Sequence, residues 1–302
     1  MHARTRKIAL VEGVTAGVFF GTAAVFIRFL HGLDVFSIAF WRLIIACAAL
    51  ATLIIAFKKS FHASLVRENL RQLFLLGVIL GLHFIFFVSA VKDTTILNAT
   101  VLVNTTPVFA MLISAFLFKV KPSSLAIVGL VTSFVGVCVI AYSETVIVNL
   151  GTNPEGFSSG LKGDFEAIIA ALAEAFYLNY GRKIRNQMNV VSLMLPIYIS
   201  AALTVGIISL PVTNKTLAFP AEAEAIIFLF GLGLLPTAVA HTLYFSSLSN
   251  LKSFETATLA LLEPVGATVL GIAIFQEIPQ PLFIFGSALV LTGIFFVIKE
   301  KS

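Results

Sequence analysis

The chain has 302 residues, 59% of them hydrophobic and 12% charged, with a net charge of +5 and a mean hydropathy of +1.02. About a quarter of the residues in a water-soluble domain are charged, so this chain cannot cover a surface facing water and takes lipid as its main solvent. Its two cysteines, Cys47 and Cys138, sit in apolar runs and offer neither a disulfide framework nor a metal spacing.

Ten apolar segments follow one another, near residues 8–30, 36–57, 71–91, 94–118, 123–142, 163–182, 190–211, 225–248, 254–276 and 280–298. Each approaches the roughly 20 residues that a helix needs to cross a bilayer. Inside lipid the backbone must satisfy its own hydrogen bonds, which selects helices over strands. Turn and charge signals separate the segments: HGLD, KKSFHASLVRENLR, KDTT, KVKPSS, GRKIRNQMN and QEIPQP. The longest connection, SETVIVNLGTNPEGFSSGLKGD, divides the chain into halves at 1–149 and 150–302. The opening MHARTRK resembles the flank of a signal peptide, but the apolar run behind it is long and lacks a clear cleavage site, so it reads as a retained first helix.

Charge sets the expected orientation. With the N-terminus in the cytoplasm, fifteen of the 20 Lys and Arg residues fall on the inside. Lys92, Lys162 and Lys215 fall outside, and Arg28 and Arg42 lie within or at the ends of helices. Such an excess follows the positive-inside rule for ten spans with both termini cytoplasmic. The same excess accounts for the basic balance as membrane topology and headgroup attraction. A nucleic-acid partner would need a soluble basic face, and the sequence has none.

The halves repeat. At an offset of 157 residues Pro107 falls on Pro264, Val108 on Val265, Ser89 on Ser246, Phe118 on Phe275, Pro122 on Pro279, Gly129 on Gly286 and Gly136 on Gly293. Five helices per half is odd, so the second copy would enter the membrane upside down. The expected fold is therefore all-α and integral to the membrane: ten transmembrane helices as two inverted five-helix repeats. Inverted repeats are characteristic of secondary transporters with a midplane site between the halves. The duplicated arrangement, the PV in the fourth helix of each half and the ending FQEIPQPLFIFGSALVLTGI resemble the drug/metabolite transporter superfamily, EamA type. That resemblance implies export of amino acids or similar small metabolites, with sugar-nucleotide exchangers and organic-cation efflux carriers as alternatives, and a prokaryotic cell membrane.

Polar groups at membrane depth are candidates for function. Glu263 is followed at once by Pro264, which cannot donate a hydrogen bond to the carbonyl of Ala260, and Pro107 withholds one from Val103 in the same way. Paired interruptions point to a central binding site. Glu263 then serves as a ligand for substrate ammonium, as a proton-coupling group, or as a structural carboxyl. Glu174 has Tyr177 three residues on and Asn179 off that face. His83 has Phe87 at i+4, His241 has Tyr244 at i+3, and the two histidines fall one position apart in the repeat. Histidines of ordinary pKa also suit proton transfer near neutral pH. Asn98 and Thr105 share a stripe, with Asn104 beside the Pro107 break. Arg28 and Arg42 read as snorkelling or salt-bridged residues near helix ends, and Trp41 as an interface anchor. Gly17 with Gly21, and Gly77 with Gly81, have the spacing that lets helices approach closely.

Enzyme chemistry has little support. There is no H-E-x-x-H, Walker A loop, G-x-S-x-G or Cys/His cluster, and no cofactor is implied. A channel would want repeated polar rings. An intramembrane enzyme would need acid and base groups within reach of each other, such as Glu174 with His83, and a scaffold would leave the paired breaks unexplained. The expected partners are a small-molecule substrate, the lipid bilayer and protons.

Overall fold

The computed structural model describes residues 5–56, 61–94, 96–150, 160–212, 217–267 and 281–299, and these contain helices and no strand. The first half holds α1 (Arg6–Phe20), α2 (Ala23–Phe29), α3 (Val35–Ala56), α4 (Ala63–Glu68), α5 (Leu70–Asp93), α6 (Ile96–Val103), α7 (Thr106–Phe116) and α8 (Ser124–Leu150). The second holds α9 (Leu161–Arg185), α10 (Val190–Ser209), α11 (Ala223–Leu232), a π-helix (Gly233–His241), α12 (Thr242–Ser247), α13 (Ser253–Leu259), a 3-10 turn (Ala260–Leu262) and α14 (Pro281–Ile298).

Among the described residues seven stretches are long and apolar enough to cross a membrane: Arg6–Phe29, Val35–Ala56, Leu70–Asp93, Asn98–Phe116, Val190–Ser209, Ala223–Ser247 and Pro281–Ile298. Of the other expected spans, Ser124–Ile140 is apolar but shorter. The 25-residue α9 carries Asp164 in its first turn, Glu174 in its middle and three basic residues in its last turn. The span expected at 254–276 runs past the described residues, as do the repeat partners Phe275 and Pro279.

Local chemistry fixes the helix ends. The Asn189 side chain accepts the Ser192 N–H at 2.8 Å to open α10. Glu255 accepts the Lys252 N–H at 2.6 Å to open α13. Arg182, Lys183 and Arg185 close α9, where cations meet the negative end of the helix dipole.

Packing follows one scheme. Helix α5 lies on α9 and α10, α3 lies on the π-helix, and α6 lies on α9. Each pairing has a counterpart 157 residues away: α1 lies on the π-helix and α12, α10 lies on α5, and α13 lies on α1. The helices α8 and α14 pair with each other. A methyl on Gly129 would meet the Gly293 carbonyl oxygen at 2.6 Å, and one on Gly136 the Gly286 carbonyl oxygen at 2.7 Å. Between these crossings the Ser133 hydroxyl donates to the Val290 carbonyl at 3.1 Å. The glycine pairs expected to permit close approach do so. A methyl on Gly21 would meet the Glu263 carbonyl oxygen at 2.6 Å, and one on Gly77 the Ile197 carbonyl oxygen at 2.7 Å.

Different contacts tie the two ends of the bundle. At one end Arg6 donates to Glu255 at 2.6 Å and to the Ile298 carbonyl at 2.8 Å. At the other, exposed Lys162 pairs with Asp93 at 2.6 Å, and the Thr94 hydroxyl donates to Asp164 at 2.8 Å.

Candidate functional site

Both proline-bearing helices are interrupted. In the first, α6 ends at Val103, Asn104 and Thr105 form a turn, and α7 resumes with Pro107 in its first turn. Proline is tolerated there because an N–H in that position has no helical acceptor. The Val103 carbonyl that proline leaves without a donor accepts the Thr106 hydroxyl instead, at 2.8 Å. In the second, α13 gives way to the 3-10 turn, the Glu263 N–H bonds back to the Ala260 carbonyl, and helix resumes from Glu263 with Pro264 next.

The two interruptions border one cavity. In this conformation it leaves about 40 Å³ for a molecule the size of water, room for a few waters. Its walls come from both halves. Arg42 (α3), His83 and Phe87 (α5) and Asn104, Thr106 and Pro107 belong to the first half, and Glu174 (α9), His241 (π-helix) and Glu263 to the second. A neighbouring cavity of about 70 Å³ lies beyond Glu263 and is lined by Gly21, Thr100 and Pro264.

The carboxyls sit on one wall with neutral partners. Glu174 Oε2 lies 3.2 Å from the Thr106 hydroxyl, which also lies 3.3 Å from the Ala171 carbonyl oxygen. Glu263 Oε2 accepts from the Asn104 amide at 3.4 Å, and the same amide donates to the Thr100 carbonyl at 2.8 Å. Both glutamates are buried, and neither has a basic group within ion-pair distance among the described residues.

The histidines also line the cavity and meet there. Their ring centroids are 5.9 Å apart, with His241 edge-on to Phe20 at 4.8 Å and to Phe84 at 4.9 Å. His83 Nδ1 lies 3.0 Å from the Ala170 carbonyl oxygen. A carbonyl only accepts, so that nitrogen carries the proton, and a neutral ring keeps a lone pair on Nε2. Phe87 stacks on His83 at 6.1 Å.

Three expected site residues are held elsewhere. Asn98 donates to Asp164 at 3.4 Å, near the Lys162 end. The Tyr177 hydroxyl points to Met194 Sδ at 3.5 Å, and its ring meets Phe245 at 4.9 Å. Three residues turn a helix by roughly 300°, so Tyr177 is offset from Glu174 by enough to face α10. Tyr244 is fully buried and edge-on to Phe20 at 5.1 Å, behind the histidine wall. Asn179 is structural: it donates to the carbonyls of Ala110 at 3.1 Å and Ala175 at 2.9 Å.

The reading of Arg42 as a snorkelling or salt-bridged residue is overturned. It is 1% exposed and lines the cavity. Its Nε–H donates to the Thr237 hydroxyl at 2.9 Å, and the guanidinium lies 4.0 Å above the Phe84 ring. The sequence carried one sign of this. Arg42 is seven residues past the start of α3, about 10 Å into the helix at 1.5 Å per residue. Trp41 packs edge-on against Phe40 at 5.5 Å and Phe219 at 5.0 Å, away from the cavity lining. Arg28 reaches the Thr94 carbonyl at 3.5 Å.

The sequence profile of the EamA-like transporter family matches residues 7–142 and again residues 161–299. An uncharacterized transporter of Archaeoglobus fulgidus is 27% identical over 309 residues, covering 100% of this chain and 99% of that protein. The uncharacterized transporter YxxF of Bacillus subtilis is 22% identical over 275 residues, covering 89% and 83%. A solved crystal structure at 18% identity superposes with a TM-score of 0.77 over 97% of this chain and 96% of its own, a likeness of fold alone.

Proposed function

The chain belongs to the EamA-like transporter family, and from that premise we propose that it is a secondary carrier that exports amino acids or similar small metabolites by alternating access. Its halves, 1–149 and 150–302, form two inverted five-helix repeats of ten spans in all. They rock about the shared cavity so that substrate meets one side at a time. The membrane is the cell membrane, with both termini cytoplasmic. Energy comes from the substrate gradient or from proton exchange through Glu263, Glu174 or the histidines.

One observation carries this reading: a cavity lies between two proline-broken helices, and each half contributes ionisable or amide groups to it. Irregular backbone at membrane depth is tolerated where it lines such a space. Two further facts support the repeat. The family profile matches each half separately. The glycine crossings of α8 and α14 also exchange with one another under the offset, since 129 maps to 286 and 136 to 293.

The test is counterflow in proteoliposomes holding the full chain. Vesicles are preloaded with unlabelled aromatic and aliphatic amino acids, nucleosides or organic cations, and uptake of trace labelled partner is followed at two pH values. Exchange of amino acids without chemical change is the expected result. Exchange confined to organic cations would replace the substrate class, and a folded protein that exchanges none of these compounds would overturn the proposal.

A further inference from the structure

We propose that Arg42 is the anion subsite of this cavity. It takes the carboxylate of a zwitterionic substrate whose ammonium lies toward Glu263 and Glu174. The assignment rests on the carrier reading above and deepens it.

A guanidinium at membrane depth is expensive unless paired. Arg42 is 1% exposed, yet no carboxylate lies within 4.0 Å of it among the described residues. Its Nη1 is buried and has no hydrogen-bond partner among them. What it does have is positioning. Thr237 accepts the Nε–H while giving its own hydroxyl proton to the carbonyl of Leu232, the last residue of α11, at 2.6 Å. π-Helical segments are rare and are found frequently at functional sites. The same segment reaches α3 through Gly233, where a methyl would meet Ile45 Cβ at 2.6 Å and the Arg42 carbonyl oxygen at 3.2 Å. Phe84 closes the opposite face of the guanidinium at 4.0 Å. The second half therefore grips an arginine of the first half by one nitrogen, and Nη1, on the Nη edge of this cavity-lining residue, has no hydrogen-bond partner among the described residues. That edge offers the paired N–H groups that fit a carboxylate.

The charges opposite complete the match. Among the described residues Glu174 and Glu263 have only the Thr106 hydroxyl and the Asn104 amide as side-chain partners and no cation within ion-pair distance, so the cavity keeps a cationic pole and an acidic pole that do not neutralise each other. A molecule with a carboxylate and an ammonium satisfies both poles at once. Phe20, Phe87 and Val103 line the remainder, which suits an apolar or aromatic side chain. An organic cation would satisfy the acidic pole and leave Arg42 buried without a counter-ion.

The test compares three probes in proteoliposomes of the full chain: L-phenylalanine, phenethylamine, which lacks the carboxylate, and 3-phenylpropionate, which lacks the ammonium. The wild type is expected to exchange phenylalanine fastest. In Arg42→Gln, phenylalanine exchange should fall by about tenfold or more, the scale of losing one charge-assisted contact, while phenethylamine exchange stays within about twofold. Glu263→Gln should lower phenylalanine and phenethylamine together. Arg42→Lys keeps the charge without the fork, and its phenylalanine-to-phenethylamine ratio should fall between the two. That ratio also decides the matter if Arg42→Gln does not fold. Equal loss of both probes in a folded Arg42 variant, loss of neither, or wild-type preference for phenethylamine would overturn the subsite and leave the carrier standing. A folded wild type that exchanges none of the three would sink the amino-acid carrier reading, and this assignment with it.

Discussion

At the first interruption the backbone leaves the helix at Asn104 and Thr105 and resumes around Pro107. At the second it tightens through Ala260–Leu262 and resumes around Pro264. The two are alike in backbone and unlike in chemistry. One delivers an amide and a hydroxyl to the cavity, and the other a carboxyl. Duplication explains the shared device, because a helix broken by proline exposes polar backbone that only a protein-lined space can hold. Divergence after duplication explains the unlike side chains. The molecule repeats its scaffold and makes its site polar by breaking that symmetry.

The comparison is broken most severely by removing the unlike group. Glu263→Gln should cut exchange of a zwitterionic substrate by about tenfold to a hundredfold, the span of one hydrogen bond to a charged partner, measured as counterflow at matched protein content. Asn104→Ala removes only the amide that orients Glu263, so about fivefold is expected, in keeping with a neutral hydrogen bond of roughly 1 kcal/mol. An Asn104→Ala effect as large as that of Glu263→Gln would show the two breaks to be chemically equivalent after all.

Substituting the prolines sharpens the backbone half of the argument. Pro107→Ala and Pro264→Ala should each change the unfolding midpoint in detergent by the equivalent of less than about 1 kcal/mol, since each proline already sits in a first turn where its fixed φ is compatible. Their effects should match; a large effect at one site alone would mean that the breaks differ in structural role.

The smallest effect is expected at the bundle end. The Lys162 ammonium is held above the usual lysine range, chiefly by its hydrogen bond to Asp93. A raised pKa in the folded state means that this contribution is fully present at neutral pH and is lost as pH rises through the lysine range. The pair is exposed, so Lys162→Ala should cost less than about 0.5 kcal/mol at pH 7 and nothing in strong alkali, read as the unfolding midpoint against pH. The Arg6–Glu255 pair is less exposed, and Arg6→Ala should cost more.

Much of this was legible in the sequence. The interrupted fourth and ninth segments followed from Pro107 and Pro264, and the two histidines one position apart in the repeat do meet. Glu174, Glu263, Asn104 and Phe87 line one cavity. Facing direction was harder to read. In a soluble protein the polar side of a helix marks its outside, whereas a membrane span is apolar toward lipid and toward its neighbours alike. That is why Tyr177 and Asn98, placed by spacing alone, turn away, and why Arg42 passed for a residue near a helix end. The π-helix leaves little trace in the sequence beyond Pro236.

The seam between α8 and α14 bears on how such a molecule can move. Where the two helices cross at glycines there is no room even for a methyl group, and backbone meets backbone. Sliding along that line would drive backbone into backbone. On the alternating-access reading proposed above, these two helices act as a single axle about which the other helices rotate. A valine at Gly136 would jam the bearing without touching a single group that meets the cargo.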